Sequence, residues 1–303
     1  MSFTTRYNEK LFQRITNYRI DVLNHLRKIA HYHYADEINL EIGDRKINYY
    51  RWMHPTQGEW ELDEIFNSLK LKYMEKLIKP NSVVLDIGAH TGNMSVGYSL
   101  FAKKVISFEP NPVTFEILEQ NSKLNRNIKP YNFGCSKEEG EMEFHYSDLG
   151  FNNGGLTSDL EAGVGVTGHQ IPIEVYCINI DNFMKEMHSE DYNNISFIKI
   201  DCEGHDKVIL PTLKKIIEKN KPLIQTEVYD GLSNEEKIEL FKVIDSLGYD
   251  SYNLTSAHDN IDNLGKKITM KDLEVFDGKH PLDETRQSDA QTFSHNIICF
   301  PRD

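Results

Sequence analysis

Apolar positions along the chain change their period several times, and each change predicts an element. Leu11, Ile15, Tyr18, Val22, Leu26 and Ile29 recur at steps of three and four, which makes one stripe of an amphipathic helix. Ile65, Leu69, Tyr73 and Leu77 repeat that spacing and predict a second helix over Asp63 to Ile78, stopped by Lys79-Pro80-Asn81. From Val83 onward the pattern shifts to short apolar runs: Val83 to Ile87, Lys104 to Phe108, Ile128 to Gly134, Ile195 to Ile200 and Pro222 to Glu227. Runs with no polar face suit strands covered on both sides. Helical segments alternate with them at Thr91 to Phe101, Pro112 to Leu124 and Asp181 to Met187. Glu141 to Tyr146 and Ile171 to Ile178 alternate residue by residue, as half-buried strands do, and Ile297 to Phe300 reads as a closing antiparallel strand. The sum predicts an α/β chain with a mostly parallel, Rossmann-like sheet. Residues 1–61 are expected to form a helical, aromatic extension carrying Tyr32-His33-Tyr34 and Tyr49-Tyr50-Arg51-Trp52. Residues 62–303 are expected to form the main domain.

The polar residues that end the apolar runs carry the chemistry. Asp86 closes the first run, and Gly88-Ala89-His90-Thr91-Gly92-Asn93 follows, a tight turn into a helix where a ligand can approach bare backbone. The next run ends in Glu109, about 20 residues past Gly88, at the neighbouring strand tip, where an acid can accept hydrogen bonds from a ribose diol. A dinucleotide site wants G-x-G-x-x-G around a pyrophosphate. This turn is G-x-x-x-G with a carboxylate two residues before it, which repels phosphate and suits a cationic amino-acid end or a sulfonium. S-adenosylmethionine is therefore favoured over NAD, and a nucleotide-sugar oxidoreductase is disfavoured. By topology Gly134, Cys135 and Ser136 fall beside the adenine. Asp201-Cys202-Glu203-Gly204-His205 and Glu227 stand at further strand tips facing the same crevice. Asp148 to Gln170, rich in glycine, reads as a lid over substrate or a surface loop.

Charge and cysteine usage narrow the partners. A net charge of −13 argues against a nucleic-acid backbone or an anionic membrane as the main partner. No apolar run approaches the ~20 residues of a membrane span, and Met1 to Arg6 lacks the apolar core of a signal peptide. Cys135, Cys177, Cys202 and Cys299 are scattered without a C-x-x-C pair, which predicts a reduced, cytoplasmic chain without structural zinc. The first helix is expected to pack on the main domain, with a homodimer-forming helix pair as the alternative.

Read together, Val84-Leu85-Asp86-Ile87-Gly88-Ala89-His90-Thr91-Gly92, Phe108-Glu109-Pro110-Asn111-Pro112, Asn153-Gly154-Gly155-Leu156-Thr157-Ser158, Ile198-Lys199-Ile200-Asp201-Cys202-Glu203-Gly204-His205, Glu227 and Ile298-Cys299-Phe300-Pro301-Arg302 resemble the FkbM family of S-adenosylmethionine-dependent methyltransferases. The resemblance spans roughly Leu62 to Asp303, and Cys202 stands where a small aliphatic is more usual. It implies a class I methyltransferase sheet with an antiparallel C-terminal strand, and methyl transfer to an oxygen, commonly a sugar hydroxyl of a glycan, glycolipid or related metabolite. On this reading Asp86, Gly88, His90, Thr91, Gly92, Asn93, Glu109, Asn111, Cys135, Ser136 and Asp201 hold the cofactor. Asp86 takes its methionine end and Glu109 its ribose.

A hydroxyl acceptor needs a base. His205 is the leading candidate because imidazole titrates near neutral pH, Asp201 is the runner-up, and Glu227 completes the catalytic set. The alternative for His205 is a helix-start residue that orients Asp201. Asp201, Glu203 and Glu227 could instead hold Mg²⁺, whose hard oxygen preference they match, although an acid before a helix also simply answers its dipole. A non-catalytic binding protein on the same fold remains the rival from another class.

Overall fold

The apolar runs lie side by side, as their lack of a polar face requires. The computed structural model describes residues 6–29, 34–53, 66, 68–147, 155–156, 170–229, 232–255, 267–268 and 293–302. Strands β3 (Val83–Ile87), β4 (Lys104–Phe108), β5 (Ile128–Tyr131), β9 (Ile195–Ile200) and β10 (Leu223–Glu227) form the parallel part of an eight-stranded sheet. Its full order is β12-β11-β13-β10-β9-β3-β4-β5, where β11 is Tyr249–Thr255, β12 Lys267–Ile268 and β13 Phe293–Pro301. β13 runs antiparallel to both β10 and β11, as the sequence predicts for the closing strand.

Side chains of β3 feed two cores. Val83, Leu85 and Ile87 pack in one cluster with Ile106, Ile198 and Ile200, while Val84 packs on the other face with Val96, Val105 and Phe197. Helix α3 (Asn93–Ser99) covers that second face, and α4 (Pro112–Leu124) begins where the sequence places it. Asn111 supplies the reason: its side chain accepts from Val113 N at 3.0 Å, and Pro112 needs no partner for its missing N–H.

Two expectations change. Residues 34–53 are not helical but a hairpin, β1 (Tyr34–Ile42) and β2 (Arg45–Met53), paired from Ile42 with Arg45 to Tyr34 with Met53. Gly43, at φ +62°, makes its two-residue turn. Ile47 and Tyr49 alternate into the core, and Asn121 of α4 receives Tyr50 N–H at 2.6 Å and donates back to Tyr50 O at 3.2 Å. The extension is therefore built into the main body. The run Ile128 to Gly134 also divides. β5 stops at Tyr131, and β6 (Gly134–Cys135) joins a small separate sheet with β7 (Gly140–Ser147) and β8 (Gln170–Ile178), in the order β6-β8-β7.

Helix α1 (Glu9–Ile29) lies on the same chain's core. Leu11, Phe12 and Ile15 pack against the first cluster, and Val22 and Leu23 join a third cluster with Val113 and Val175. Tyr18 and Ile20 are large apolar side chains of this helix that stay exposed. The second helix is described from Ser68 to Leu77. The domain boundary near Leu62, Tyr32-His33 and most of the 148–170 loop, including Asn153-Gly154, lie outside the described residues.

Candidate active site

The tips of β3, β4 and β9 are stitched together by backbone. Gly88 N–H and Ala89 N–H both donate to Phe108 O, at 3.0 and 2.9 Å, and Asp201 N–H donates to Ile87 O at 3.0 Å. Gly88 sits at φ +74°, and a Cβ there would stand 1.8 Å from the carbonyl oxygen of Asp201. Only glycine lets these two turns meet. His90 (φ +53°) and Glu203 (φ +51°) occupy the left-handed region without being glycine. Such strain, of order 1–3 kcal/mol, collects at functional sites.

Glu109 is buried and holds the glycine turn from the next tip. Its Oε2 accepts from His90 N at 2.7 Å and its Oε1 from Asn111 N at 2.8 Å. Burial pushes its carboxyl up to about 7 against the pull of those two bonds. Asn111 contributes its backbone, since its side chain caps α4. Thr91, also buried, gives its carbonyl to Asn121 Nδ2 at 2.8 Å.

Asp86 lies inside the protein, beneath the turn. Alternation along β3 places it on the face of Val84, beneath α3, with no exposed surface. Ser95 of α3 donates to its Oδ2 and lies 2.8 Å from Ser107 Oγ, while Lys199 Nζ stands 3.9 Å from its Oδ1. Burial raises its pKa despite Lys199 and Ser95. So enclosed, the carboxylate braces the turn from below, and its Oδ1 has no hydrogen-bond partner among the described residues.

Lys199 is the residue the sequence reading passed over. It interrupts β9, whose other side chains are buried, and is itself buried. Its Nζ lies 3.0 Å from Asp201 Oδ2. Burial would lower the ammonium's pKa, but Asp201 and Asp86 outweigh it and raise it. Asp201, which keeps a third of its side chain open, would be raised by desolvation but is held below the ordinary carboxylate range by Lys199. The signal was available, because a lysine inside an apolar central run requires a counter-charge.

Carboxylate oxygens of Asp201, Glu203 and Glu227 lie within 4.8 Å of one another. Burial, then Asp201 and Asp206, pushes Glu203 up to about 8; burial, then Asp201 and Glu203, pushes Glu227 well above its usual value. Glu227, raised in this way, hydrogen-bonds to Asp201. Asp206, also missed, braces the group from behind. It opens the short helix α6 (Asp206–Ile209) and accepts from Thr226 Oγ1 at 2.7 Å, Cys202 N at 3.2 Å and Glu227 N at 3.3 Å.

His205 precedes α6 without capping it and without a hydrogen bond to Asp201. Its Nε2 lies 3.0 Å from Ser136 Oγ. Burial, with Lys207 nearby, lowers its pKa, so the ring is neutral at pH 7. Cys135 belongs to the first core cluster, where burial, then Cys177 and Glu109, raises its thiol well above the usual value.

The strand order β5-β4-β3-β9-β10-β13-β11 with β13 antiparallel, a glycine turn after the central strand and an acid on the next tip define a class I methyltransferase. Residues 86–262, more than half of the chain, match the family described as Methyltransferase FkbM domain, and the chain belongs to that family. It is 24% identical over 161 residues to the hexuronic acid methyltransferase AglP of Haloferax volcanii, covering 53% of this chain and 61% of that relative, less than two thirds of its length. Among solved structures it is similar to a methyltransferase FkbM from Methylobacillus flagellatus (14% identity, TM-score 0.36, 58% of this chain and 43% of that one). It is also similar to an rRNA methylase from Streptococcus thermophilus (10% identity, TM-score 0.40, 78% and 95%).

Proposed function

We propose that the chain is an S-adenosylmethionine-dependent O-methyltransferase acting on a sugar hydroxyl of a glycan, glycolipid or related metabolite. The observation that carries this reading is the crevice itself: bare backbone at Gly88, with Glu109, Asp201, Glu203 and Glu227 gathered around it at the tips of four neighbouring strands. Acceptors dominate it, and a cationic donor answers them. Asn93 Oδ1 and Glu227 Oε2 are buried and have no hydrogen-bond partner among the described residues, as expected of groups awaiting a ligand. The family membership supports methyl transfer, and the relative named for hexuronic acid supports a sugar acceptor.

When bound, the donor supplies an activated methyl on a positive sulfur. Glu109 orients the ribose, and the backbone from Gly88 to Asn93 receives the amino-acid end. Asp201, kept ionised by Lys199, stabilises positive charge near the reacting atoms. His205, neutral and hydrogen-bonded to Ser136, takes the proton of the acceptor hydroxyl. Replacing His205 by Ala should lower turnover by about 10²–10⁴-fold with S-adenosylhomocysteine affinity unchanged. Turnover within a few-fold of wild type would refute the base assignment.

A second reading rests on the carboxylate cluster: Asp201, Glu203 and Glu227 bind Mg²⁺, which lowers the pKa of the acceptor hydroxyl. Lys199 already answers Asp201, so the cluster also stands without an ion. Activity that disappears with EDTA and returns with Mg²⁺ would favour the metal; activity indifferent to EDTA removes it.

A further inference from the structure

A second cavity, of about 220 Å³, lies on the far side of the segment that carries Glu109. One wall is Pro110 and Pro112, the residues flanking Asn111; the others are α1 and the β7–β8 sheet. Asn132 ties this wall to the cofactor side by donating to Glu109 O at 2.8 Å and Pro110 O at 3.0 Å. None of the residues assigned to the cofactor lines the cavity, so it is a separate site.

Its chemistry is specific. Tyr18 and Tyr176 line it, together with Arg14, Arg19, Glu141 and Glu174, two charges of each sign. Arg14 lies 5.7 Å over the Tyr176 ring, and its 3.3 Å pair with Glu141 is exposed on both sides and therefore easily exchanged for a ligand. Tyr18 Oη accepts from Glu174 N at 2.9 Å, which leaves its own proton to donate. Arg19 is held over Phe115 at 4.9 Å and reaches Glu119 only at 3.7 Å; its Nε is buried and has no acceptor among the described residues. A buried donor without a partner marks a place where an oxygen is missing.

Balanced charge disfavours an anion, because the two carboxylates would oppose it. A ring whose hydroxyls both donate and accept, and whose C–H face packs on tyrosine, answers every group. We propose that this cavity binds a neutral sugar residue, a unit of the acceptor glycan other than the one methylated. The inference rests on the proposed glycan acceptor and gives the enzyme a means of selecting a chain rather than a free monosaccharide.

The test is ligand-observed NMR on the full chain with methyl glucoside, methyl glucuronoside and inorganic phosphate as probes. Calorimetry with S-adenosylhomocysteine runs alongside. Wild type should bind the glucoside, and Arg19→Met or Tyr176→Leu should weaken it by about tenfold or more, the loss of one buried contact, while leaving S-adenosylhomocysteine affinity and thermal melting unchanged. Glucoside binding unaffected by both substitutions, absent from wild type, or weaker than that of glucuronoside or phosphate would overturn the sugar site. So would a matching tenfold loss of S-adenosylhomocysteine affinity in the variants, which would assign the cavity to the donor. Failure of wild type to bind S-adenosylhomocysteine at all would instead strike at the methyltransferase reading, so the two failures are distinguishable.

Discussion

Replacing Lys199 by Met removes the one cation shown in contact with both Asp86 and Asp201. Lys199 is 7% exposed, Asp86 has no exposed side-chain surface, and Asp201 keeps 33%. Met fills most of the space, so the loss is electrostatic rather than a cavity. Breaking a buried pair by deleting one partner costs about 3–5 kcal/mol. The 3.9 Å separation from Asp86 and the open flank of Asp201 place this case at the lower end, about 3 kcal/mol at pH 7.5. The sign with pH follows from the groups left behind. Asp201, depressed in the wild type, contributes stability above its unfolded pKa that is lost as pH falls through its lower folded value. Without Lys199 that contribution is gone, and Asp86, already raised, rises further and folds more favourably when protonated. The deficit of Lys199→Met should therefore shrink between pH 7.5 and pH 5. Urea unfolding of both proteins at the two pH values measures this. A deficit under about 1 kcal/mol at pH 7.5, or one that does not shrink at pH 5, would refute a compensating role for Lys199.

Three further outcomes follow from the same geometry. Glu109→Ala frees His90 N and Asn111 N and should weaken S-adenosylhomocysteine binding by about 1–3 kcal/mol in calorimetry; unchanged affinity would contradict its placement. Gly88→Ala drives a methyl to within 1.8 Å of Asp201 O, so its urea midpoint should fall sharply; an unchanged midpoint would mean that the two turns separate freely. Glu236, drawn down to about 2 by Lys207 and by Ser233 N–H in the cap of α8 (Asn234–Ser246), stabilises the fold above its unfolded pKa and loses this as pH falls toward 2; Glu236→Gln should flatten that acid limb, read by unfolding at stepped pH.

The central strands were readable because burial on both faces makes most residues of each run apolar, with Asp86, Ser107 and Lys199 among the exceptions. Helix α4 was readable because Asn111 and Pro112 mark its start chemically. The hairpin over 34–53 is written in the alternation of Ile38, Leu40 and Ile42 and in Gly43 at the turn, a period that the aromatic residues on both faces of its second strand obscure. Pro130 and Asn132 weaken the run between Ile128 and Gly134, but the position of the break follows from the pairing of β6 with the distant β8. Asp86 was recognised as a site residue, but its direction depends on which sheet face α3 covers, a tertiary fact. Lys199 and Asp206 were hidden for a related reason: each acts through partners remote in sequence or in the neighbouring turn, not through the crevice itself.

The position of β13 has a consequence for synthesis. It is the last described strand in chain order, yet it sits inside the sheet, with β10 on one side and β11 on the other. As the polypeptide leaves the ribosome, the parallel half can assemble while one flank of β10 stays bare until residues 293–301 emerge. A nascent chain halted before that point offers an unpaired, apolar edge to its neighbours, so its need for chaperones should be greatest just before translation reaches β13.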